Sequence, residues 1–109
     1  MTRDEFYNAL LNLGVSVNYG YSKDRKPEPP YLRYMFTDYQ TMYGDNTHLA
    51  DFPEGWIELY TDAMDKEFFR LEKGLEGILN GMRLPWSKDN ETYIDAERLA
   101  MARYTICLT

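Results

Sequence analysis

Two stretches of the chain carry apolar residues at the spacing of an amphipathic helix, with polar residues between them. The first follows a capping box at residues 2–5, in which hydroxyl and carboxylate side chains satisfy the free amides of a first turn. Phe6, Leu10 and Leu13 then recur at helical spacing, and the glycine after them is the residue type that ends a helix in the left-handed conformation. The pattern predicts a helix over residues 3–13.

The second helical stretch lies between residues 62 and 81. Its apolar stripe consists of Phe68, Leu71, Leu75 and Ile78. Either Asp62 or Asp65 can cap its first turn, and Gly81 is expected to end it. Gly74 and Gly77 weaken a helix, and they are tolerable if this helix packs very close to a sheet.

Alternation of apolar and polar residues predicts strands elsewhere in the chain. The first strand is expected over Val15–Tyr21, the second over Tyr31–Thr37 and the third over Trp56–Thr61. A longer alternating stretch begins at Glu97, and its uniformly apolar positions are expected to face the core. These positions are Ala100, Ala102, Tyr104, Ile106 and Leu108. The part over 96–102 also contains good helix formers, but the alternation favours a strand.

Three segments lack such a regular pattern. Met82–Trp86 is predicted to be a short strand that Pro85 confines to a sheet edge, and a turn is predicted at Ser87–Asn90. Asp38–Gly55 is long and polar, so it is interpreted as a functional loop or as one that conceals a short hairpin. Ser22–Pro30 contains three prolines and is interpreted as an exposed connection.

The elements follow one another as helix, three strands, helix and two strands. This order predicts an α+β two-layer sandwich, in which a mostly antiparallel four- to five-stranded sheet carries two helices on one face. With 109 residues and no internal repeat, the chain is expected to form a single domain over residues 1–109.

The acidic balance of the chain argues against several classes of partner. The formal net charge is −6, and such a surface repels phosphate, so nonspecific binding to nucleic acid is not expected. A protein that surrounds DNA without gripping it stays compatible with this charge. The local group of basic residues at Lys23, Arg25 and Lys26 is interleaved with acids and is interpreted as solvated.

Neither a signal peptide nor an apolar run of membrane-spanning length is recognised in the sequence.

Candidates for catalysis or metal binding are few. His48 and Cys107 are the only histidine and cysteine, and they are interpreted as a surface residue and an unreactive strand residue. A single cysteine excludes an internal disulfide and fits a reducing compartment. The acids of the long loop follow no calcium-loop spacing; they are Asp38, Asp45, Asp51 and Glu54. The sequence therefore predicts no catalytic, cofactor, metal or nucleic-acid-binding residue, and the chain is not expected to be an enzyme.

Four short motifs occur in order along residues 30–109. They are Pro30-Tyr31-Leu32-Arg33-Tyr34, Tyr43-Gly44-Asp45-Asn46, Trp56-Ile57-Glu58-Leu59-Tyr60-Thr61-Asp62 and Glu91-Thr92-Tyr93-Ile94-Asp95-Ala96-Glu97. The amphipathic helix lies between the last two, and an apolar strand containing Tyr104 follows. In this order the motifs resemble the tail-completion, or tail-terminator, proteins of bacteriophages and Gram-positive prophages with long, non-contractile tails.

The resemblance implies a structural protein of the virion without an active site. It implies a fold like that of lambda-type tail terminators and a homo-hexameric ring that ends the tail tube, joins it to the head and contacts tail-tube and neck proteins. DNA would pass through such a ring without specific binding. The protein would be made in the host bacterial cytoplasm and located in the tail or neck of the virion.

The residues themselves also indicate assembly. Tyrosine suits surfaces that become interfaces, and unpaired sheet edges or a long loop can be completed by a neighbouring subunit. The candidate interface residues are Tyr39, Met42, Tyr43, Phe52 and Trp86. Two alternatives stay open at this point: another neck or head-completion connector, and a small acidic adaptor that binds a protein.

Overall fold

The computed structural model describes the backbone of residues 1–20, 27–44 and 47–108, and the side chains of these residues except those of 38–52. The helices are α1 (Arg3–Leu10), continued by a 3₁₀ turn (Leu11–Leu13), and α2 (Lys66–Gly81). The strands are β1 (Ser16–Tyr19), β2 (Tyr31–Gly44), β3 (Thr47–Thr61), β4 (Trp86–Ile94) and β5 (Leu99–Cys107).

These strands form one mixed sheet with the order β1-β2-β3-β5-β4. β1 runs parallel to β2, and the other neighbouring pairs are antiparallel. Side chains of both helices join the core on the same face of the sheet. The predicted α+β two-layer sandwich is therefore confirmed.

The alternating residues of the strands form the core between the sheet and the helices. In the register of the sheet, Ile57 of β3 lies between Tyr34 of β2 and Tyr104 of β5, and Phe6 of α1 packs edge-on against the Tyr34 ring. Removing such apolar area from water is the main favourable term in folding. Of the residues expected in this core, Ile78 is only partly buried, whereas the others are buried. The buried ones include Tyr34, Phe36, Ile57, Leu59, Leu71, Leu75, Tyr104 and Ile106.

The predicted caps are confirmed at the start of both helices. Thr2 Oγ1 accepts a hydrogen bond from the Glu5 amide at 3.1 Å. The Asp65 carboxylate accepts from the amides of Glu67 and Phe68 at 3.1 and 3.2 Å. Both interactions satisfy amides that have no partner inside the helix. After the 3₁₀ turn, Gly14 adopts the expected left-handed conformation, with φ of 82°.

The second helix ends at Gly81, as predicted, and the left-handed residue beyond it is Arg83, with φ of 58°. The two glycines inside the helix do not lie against the sheet. A Cβ at Gly74 would lie 2.9 Å from Leu13 of the 3₁₀ turn, and one at Gly77 would meet nothing within 4 Å.

The edge of the sheet also differs from the prediction. β4 is one strand from Trp86 to Ile94 with a bulge between Lys88 and Asn90, so the predicted strand at Met82–Trp86 and the predicted turn at Ser87–Asn90 are wrong. Most residues of β4 are exposed. Since neither side of the strand is deeply buried, its sequence shows no alternation. The bulge and the charges of β4 are devices that keep an edge strand from pairing nonspecifically.

The segment Asp38–Gly55, interpreted as a functional loop or as one that conceals a short hairpin, is the outer half of a long hairpin. β2 and β3 pair from Asp38 opposite Glu54 to Gly44 opposite Thr47. We call residues 38–54 the arm. At about 3.3 Å per residue, its strands are roughly 20 Å long. The radius of gyration is 15.0 Å, above the roughly 13 Å expected for a compact chain of this length, in accord with a body that carries a projecting hairpin.

Candidate functional site

The arm holds most of the residues predicted to form an interface. Tyr39, Met42 and Tyr43 lie on its β2 strand, opposite Pro53, Ala50 and His48 respectively. Phe52 lies on its β3 strand, opposite Gln40. The side chains of these four candidates lie outside the described residues, so their backbone positions alone are established. The structure thus brings four of the five candidates onto one hairpin.

Neighbouring strands stop at the base of the arm. β5 pairs with β3 only as far as Glu54, and the Leu108 amide donates to the Pro53 carbonyl at 2.8 Å. On the other side, β1 pairs with β2 only as far as Tyr34. Within the described part of the chain, the outer strands therefore pair with each other alone. A two-stranded hairpin of this kind is marginally stable by itself.

Gly55 makes the junction between the body and the arm possible. It lies opposite Phe36, where the pairing register shifts before Asp38. A Cβ on Gly55 would lie 1.9 Å from the Met35 carbonyl oxygen and 2.8 Å from the Phe36 Cα. Both neighbours are backbone atoms, so only glycine permits this close approach of the two strands.

Trp86, the fifth candidate, is part of the body. Its indole Nε1 donates to Asn80 Oδ1 at 2.9 Å, and its ring packs edge-on against Tyr104 with centroids 5.5 Å apart. The side chain is partly buried against the core. These contacts tie β4 to α2, and the structure does not bring Trp86 together with the arm residues.

The face of the sheet away from the helices, which we call the open face, carries a network of charged and aromatic side chains. Arg103 Nη1 donates to Glu58 Oε2 at 3.0 Å, and Tyr60 donates to Glu58 Oε1 at 3.2 Å. Arg103 also lies over the Trp56 ring, 5.1 Å from its centroid. Glu58 is only 3 % exposed. Burial, followed by the neighbouring Glu58 charge, raises the pKa of Tyr60, which keeps its hydroxyl a donor.

Two shallow pockets flank Thr105 at the base of the arm. One has a volume of about 250 Å³ and is lined by Thr37, Glu54, Gly55, Trp56, Arg103 and Thr105. The other, of about 260 Å³, lies toward Trp86 and Cys107. Burial, and then the charge of Glu54, raise the pKa of Cys107. A raised pKa keeps this thiol protonated and therefore weakly nucleophilic.

A second ionic cluster joins β4 to α2. Lys88 Nζ lies 2.9 Å from Glu76 Oε2, 3.2 Å from Glu72 Oε2 and 3.6 Å from a carboxylate oxygen of Glu91. The Tyr104 hydroxyl donates to Glu76 Oε2 at 2.6 Å. Within the described part of the chain, Glu72 Oε2 is buried and makes no hydrogen bond of ordinary geometry. The single ammonium group of Lys88 therefore lies beside three carboxylates, which leaves a surplus of negative charge.

The two glutamates of α2 respond to this surplus of negative charge in opposite ways. Burial, together with a hydrogen bond to Glu91, raises the pKa of Glu72. Burial also acts on Glu76, but the hydrogen bond from Tyr104 and the contact with Lys88 outweigh it and lower the pKa of Glu76. Burial opposes the charge of Lys88 as well, yet its hydrogen bonds to Glu76 and Glu72 raise the pKa of Lys88. This cluster was not predictable from the sequence pattern, because Lys88 lies in a segment that the pattern predicts to be a turn.

The residues considered for catalysis are far apart. Cys107 pairs with Glu54 at the base of the arm, whereas His48 lies near its outer end, opposite Tyr43. Six residues of strand separate these positions by roughly 20 Å. The acids of the predicted loop are likewise spread along the arm, with Asp51 opposite Thr41 and Asp45 outside the described residues. Among the residues described, no three His, Cys, Asp or Glu side chains form a group that could hold a metal ion.

A scan of the sequence against protein-family models gives no match, and neither does a search of curated proteins. In the described residues, neither helix combines the length and the apolar character that a membrane span requires.

Proposed function

We propose that the chain is a structural subunit of a phage or prophage virion, a tail-completion protein that forms a ring at the end of the tail tube and joins it to the head. The protein acts in the tail or neck after synthesis in the host bacterial cytoplasm. Its partners are further copies of itself, in a homo-hexameric ring, together with tail-tube and neck proteins. The ordered motifs of residues 30–109 support this family.

The observation that carries the proposal is the arm. A hairpin of roughly 20 Å whose outer strands, within the described residues, have no other strand beside them gains little stability from its own backbone pairing. Ordering its backbone costs about 1–2 kcal/mol per residue, which a neighbouring subunit can offset by covering it. A patch that projects from each subunit suits head-to-tail contacts, and such contacts close into rings.

Charge supports the passage of DNA through the ring without binding. The chain carries 18 acidic and 12 basic residues, and negative walls do not hold phosphate. The same surface disfavours a role in gripping nucleic acid.

The proposal includes no catalysis. The protonated thiol of Cys107 and the distance between Cys107 and His48 argue against a nucleophile–base pair. The polar clusters on the sheet also have structural roles, because they join β3 to β5 and β4 to α2.

The test changes two arm residues, Tyr43→Ser together with Phe52→Ser. Each side chain is expected to contribute roughly 1.5–3 kcal/mol to assembly when a neighbour buries it. The double variant should keep the circular dichroism and melting temperature of the wild type but fail to form rings, as measured by native mass spectrometry and electron microscopy. It should also fail to restore infectious tails in a phage that lacks the corresponding gene.

Tyr7→Ser together with Tyr93→Ser is the matched control. Both tyrosines lie on the body, with 39 % and 40 % of their surface exposed, and their loss should leave rings and complementation unchanged. If the wild type itself neither forms rings nor restores tails, the protein is not a tail-completion subunit.

A further inference from the structure

The outward side of α2 carries an unusual combination of residues. Lys66, Phe69, Arg70 and Lys73 follow one another at the spacing of one helical stripe, opposite the buried residues of the same helix. All four are exposed, and 44 % of the Phe69 surface is accessible. We call these four residues the α2 stripe.

The acids nearest to this stripe leave most of its charge uncompensated. Glu67 pairs with Arg70 on one flank, and Glu76 is turned toward Lys88 on the other. Lys66 and Lys73 form no ion pair within the described part of the chain. The stripe thus presents three cations around an exposed aromatic ring, and aromatic residues and arginine are enriched at interface centres.

Two other cations of the sandwich are already engaged. Arg103 is bound to Glu58 and lies over the Trp56 ring, and Lys88 is surrounded by carboxylates. Arg83 and Arg98 are exposed but lie singly in turns. Of the basic surfaces that the structure describes, the α2 stripe groups three cations around one exposed aromatic ring.

The arm has the complementary chemistry. Its four acids are not balanced by any lysine or arginine between residues 38 and 54, and three aromatic side chains accompany them. The acids are Asp38, Asp45, Asp51 and Glu54, and the aromatic residues are Tyr39, Tyr43 and Phe52. Complementary charge of this kind orients two surfaces and speeds their encounter.

The topology prevents the arm from meeting the stripe of its own chain. α2 begins just after Thr61, the inner end of β3, and runs back so that the Pro85 carbonyl beyond its end accepts from the Cys107 amide beside the arm base. The stripe occupies the first half of α2 and so lies at the end of the sandwich away from the arm. Only the arm of a second copy can reach it.

We propose that the arm of one copy docks along the α2 stripe of the next, in a head-to-tail contact. The proposal rests on the proposed function in so far as it names the contact that closes the ring. Because arm and stripe lie at opposite ends of each subunit, every subunit offers one of each, which is what a cyclic assembly requires. The contact weakens as salt is added, because exposed charges are screened over about 8 Å at physiological ionic strength.

The test reverses the stripe with Lys66→Glu, Arg70→Glu and Lys73→Glu in one protein. Sedimentation equilibrium should show self-association at least about tenfold weaker than that of the wild type, with an unchanged circular dichroism spectrum. Lys23→Glu, Arg25→Glu and Lys26→Glu is the control, since it changes net charge equally in another part of the chain and should associate normally.

Mixing two variants gives a second test, whose expected result an unfolded protein could not produce. The stripe-reversed protein retains an intact arm, and the protein with Tyr43→Ser and Phe52→Ser retains an intact stripe. Together they should form a one-to-one dimer and nothing larger, although neither associates alone. Absence of this dimer, normal association of the stripe-reversed protein, or a wild type that stays monomeric at every accessible concentration would overturn the proposal.

Two further outcomes separate this inference from the proposed function. If the stripe governs association but the wild type does not restore tails in the phage, the docking contact stands and the phage role fails. If the wild type restores tails and the stripe-reversed protein does so equally well, the phage role stands and the stripe is not the docking surface. Loss of binding to short duplex DNA on stripe reversal, with association unchanged, also overturns the proposal and assigns the stripe to nucleic acid.

Discussion

The two halves of the β2–β3 hairpin belong to the same strands but have different surroundings. In the inner half, Leu32, Ile57 and Leu59 face the helices and are fully buried, and β1 and β5 extend the sheet on either side. In the outer half, the arm, residues from Asp38 to Glu54 pair across a single ladder. The backbone pairing continues through both halves, whereas, in the described part of the chain, β1 and β5 flank only the inner one.

This difference shows where the stability of the hairpin comes from. Backbone pairing alone gives a marginal two-stranded ribbon, and packing of one face against helices makes the inner half part of a cooperative core. In the proposed assembly, contact with a second subunit supplies the support that the described neighbouring strands do not give the arm. The concentration of acids in the arm fits a partner surface of the opposite charge.

The largest expected effect comes from breaking the junction between the halves. Gly55→Ala places a methyl group against the Met35 carbonyl, so the strands must separate, and the free energy of unfolding should fall by about 3 kcal/mol. Gly77→Ala is the matched control, because a methyl group there meets nothing within 4 Å and should stabilise the helix by roughly 0.5–1 kcal/mol. Urea denaturation measures both. Equal stability of the two variants would show that the junction is not under this constraint.

A smaller effect is expected in the body alone, where the unfolding free energy should depend on pH. The folded-state pKa of Glu72 is raised, so the stability linked to its proton is present at low pH and is lost as pH rises through that pKa. Glu72→Gln cannot lose a proton, so its unfolding free energy relative to the wild type should increase as pH rises from below the ordinary glutamate pKa to neutrality.

Glu76 acts in the opposite direction in the same proteins. Its pKa is lowered, so its stabilisation is present above the unfolded-state pKa and is lost as pH falls through the folded-state value. Glu76→Gln should therefore cost most at neutral pH and least in acid. Equilibrium unfolding across this range measures both effects, and parallel pH profiles for the two variants would contradict the assignment of opposite shifts.

The parts of the fold that the sequence predicts are those with one buried face. The core positions of β5 and the stripe of Phe68, Leu71 and Leu75 alternate or recur because one side of each element is apolar. Part of β4 was interpreted as a turn because neither face of this strand is packed deeply against the body, and a period in the sequence arises only from such a face. The arm was interpreted as a loop or a concealed hairpin because its sequence is polar and has no period. Backbone pairing by itself does not impose an alternation of apolar and polar residues on the sequence.

The candidate site could be predicted only in part for a related reason. The aromatic residues Tyr43 and Phe52 were recognisable in a polar segment, whereas Trp86 proved to be packed on Tyr104. The α2 stripe had a visible signal, a phenylalanine and three cations at helical spacing. Its relation to the arm could not be predicted, because the position of the arm relative to α2 depends on the topology of the sheet.

Hydrogen exchange of the arm amides tests the central claim, that a second copy completes the arm, most directly. Amides in residues 38–44 and 47–53 should exchange rapidly in dilute protein and become protected at concentrations where the wild type assembles, while amides of the inner half stay protected throughout. Arm protection equal to that of the inner half in the dilute monomer, or an assembled protein whose arm still exchanges rapidly, would contradict the account.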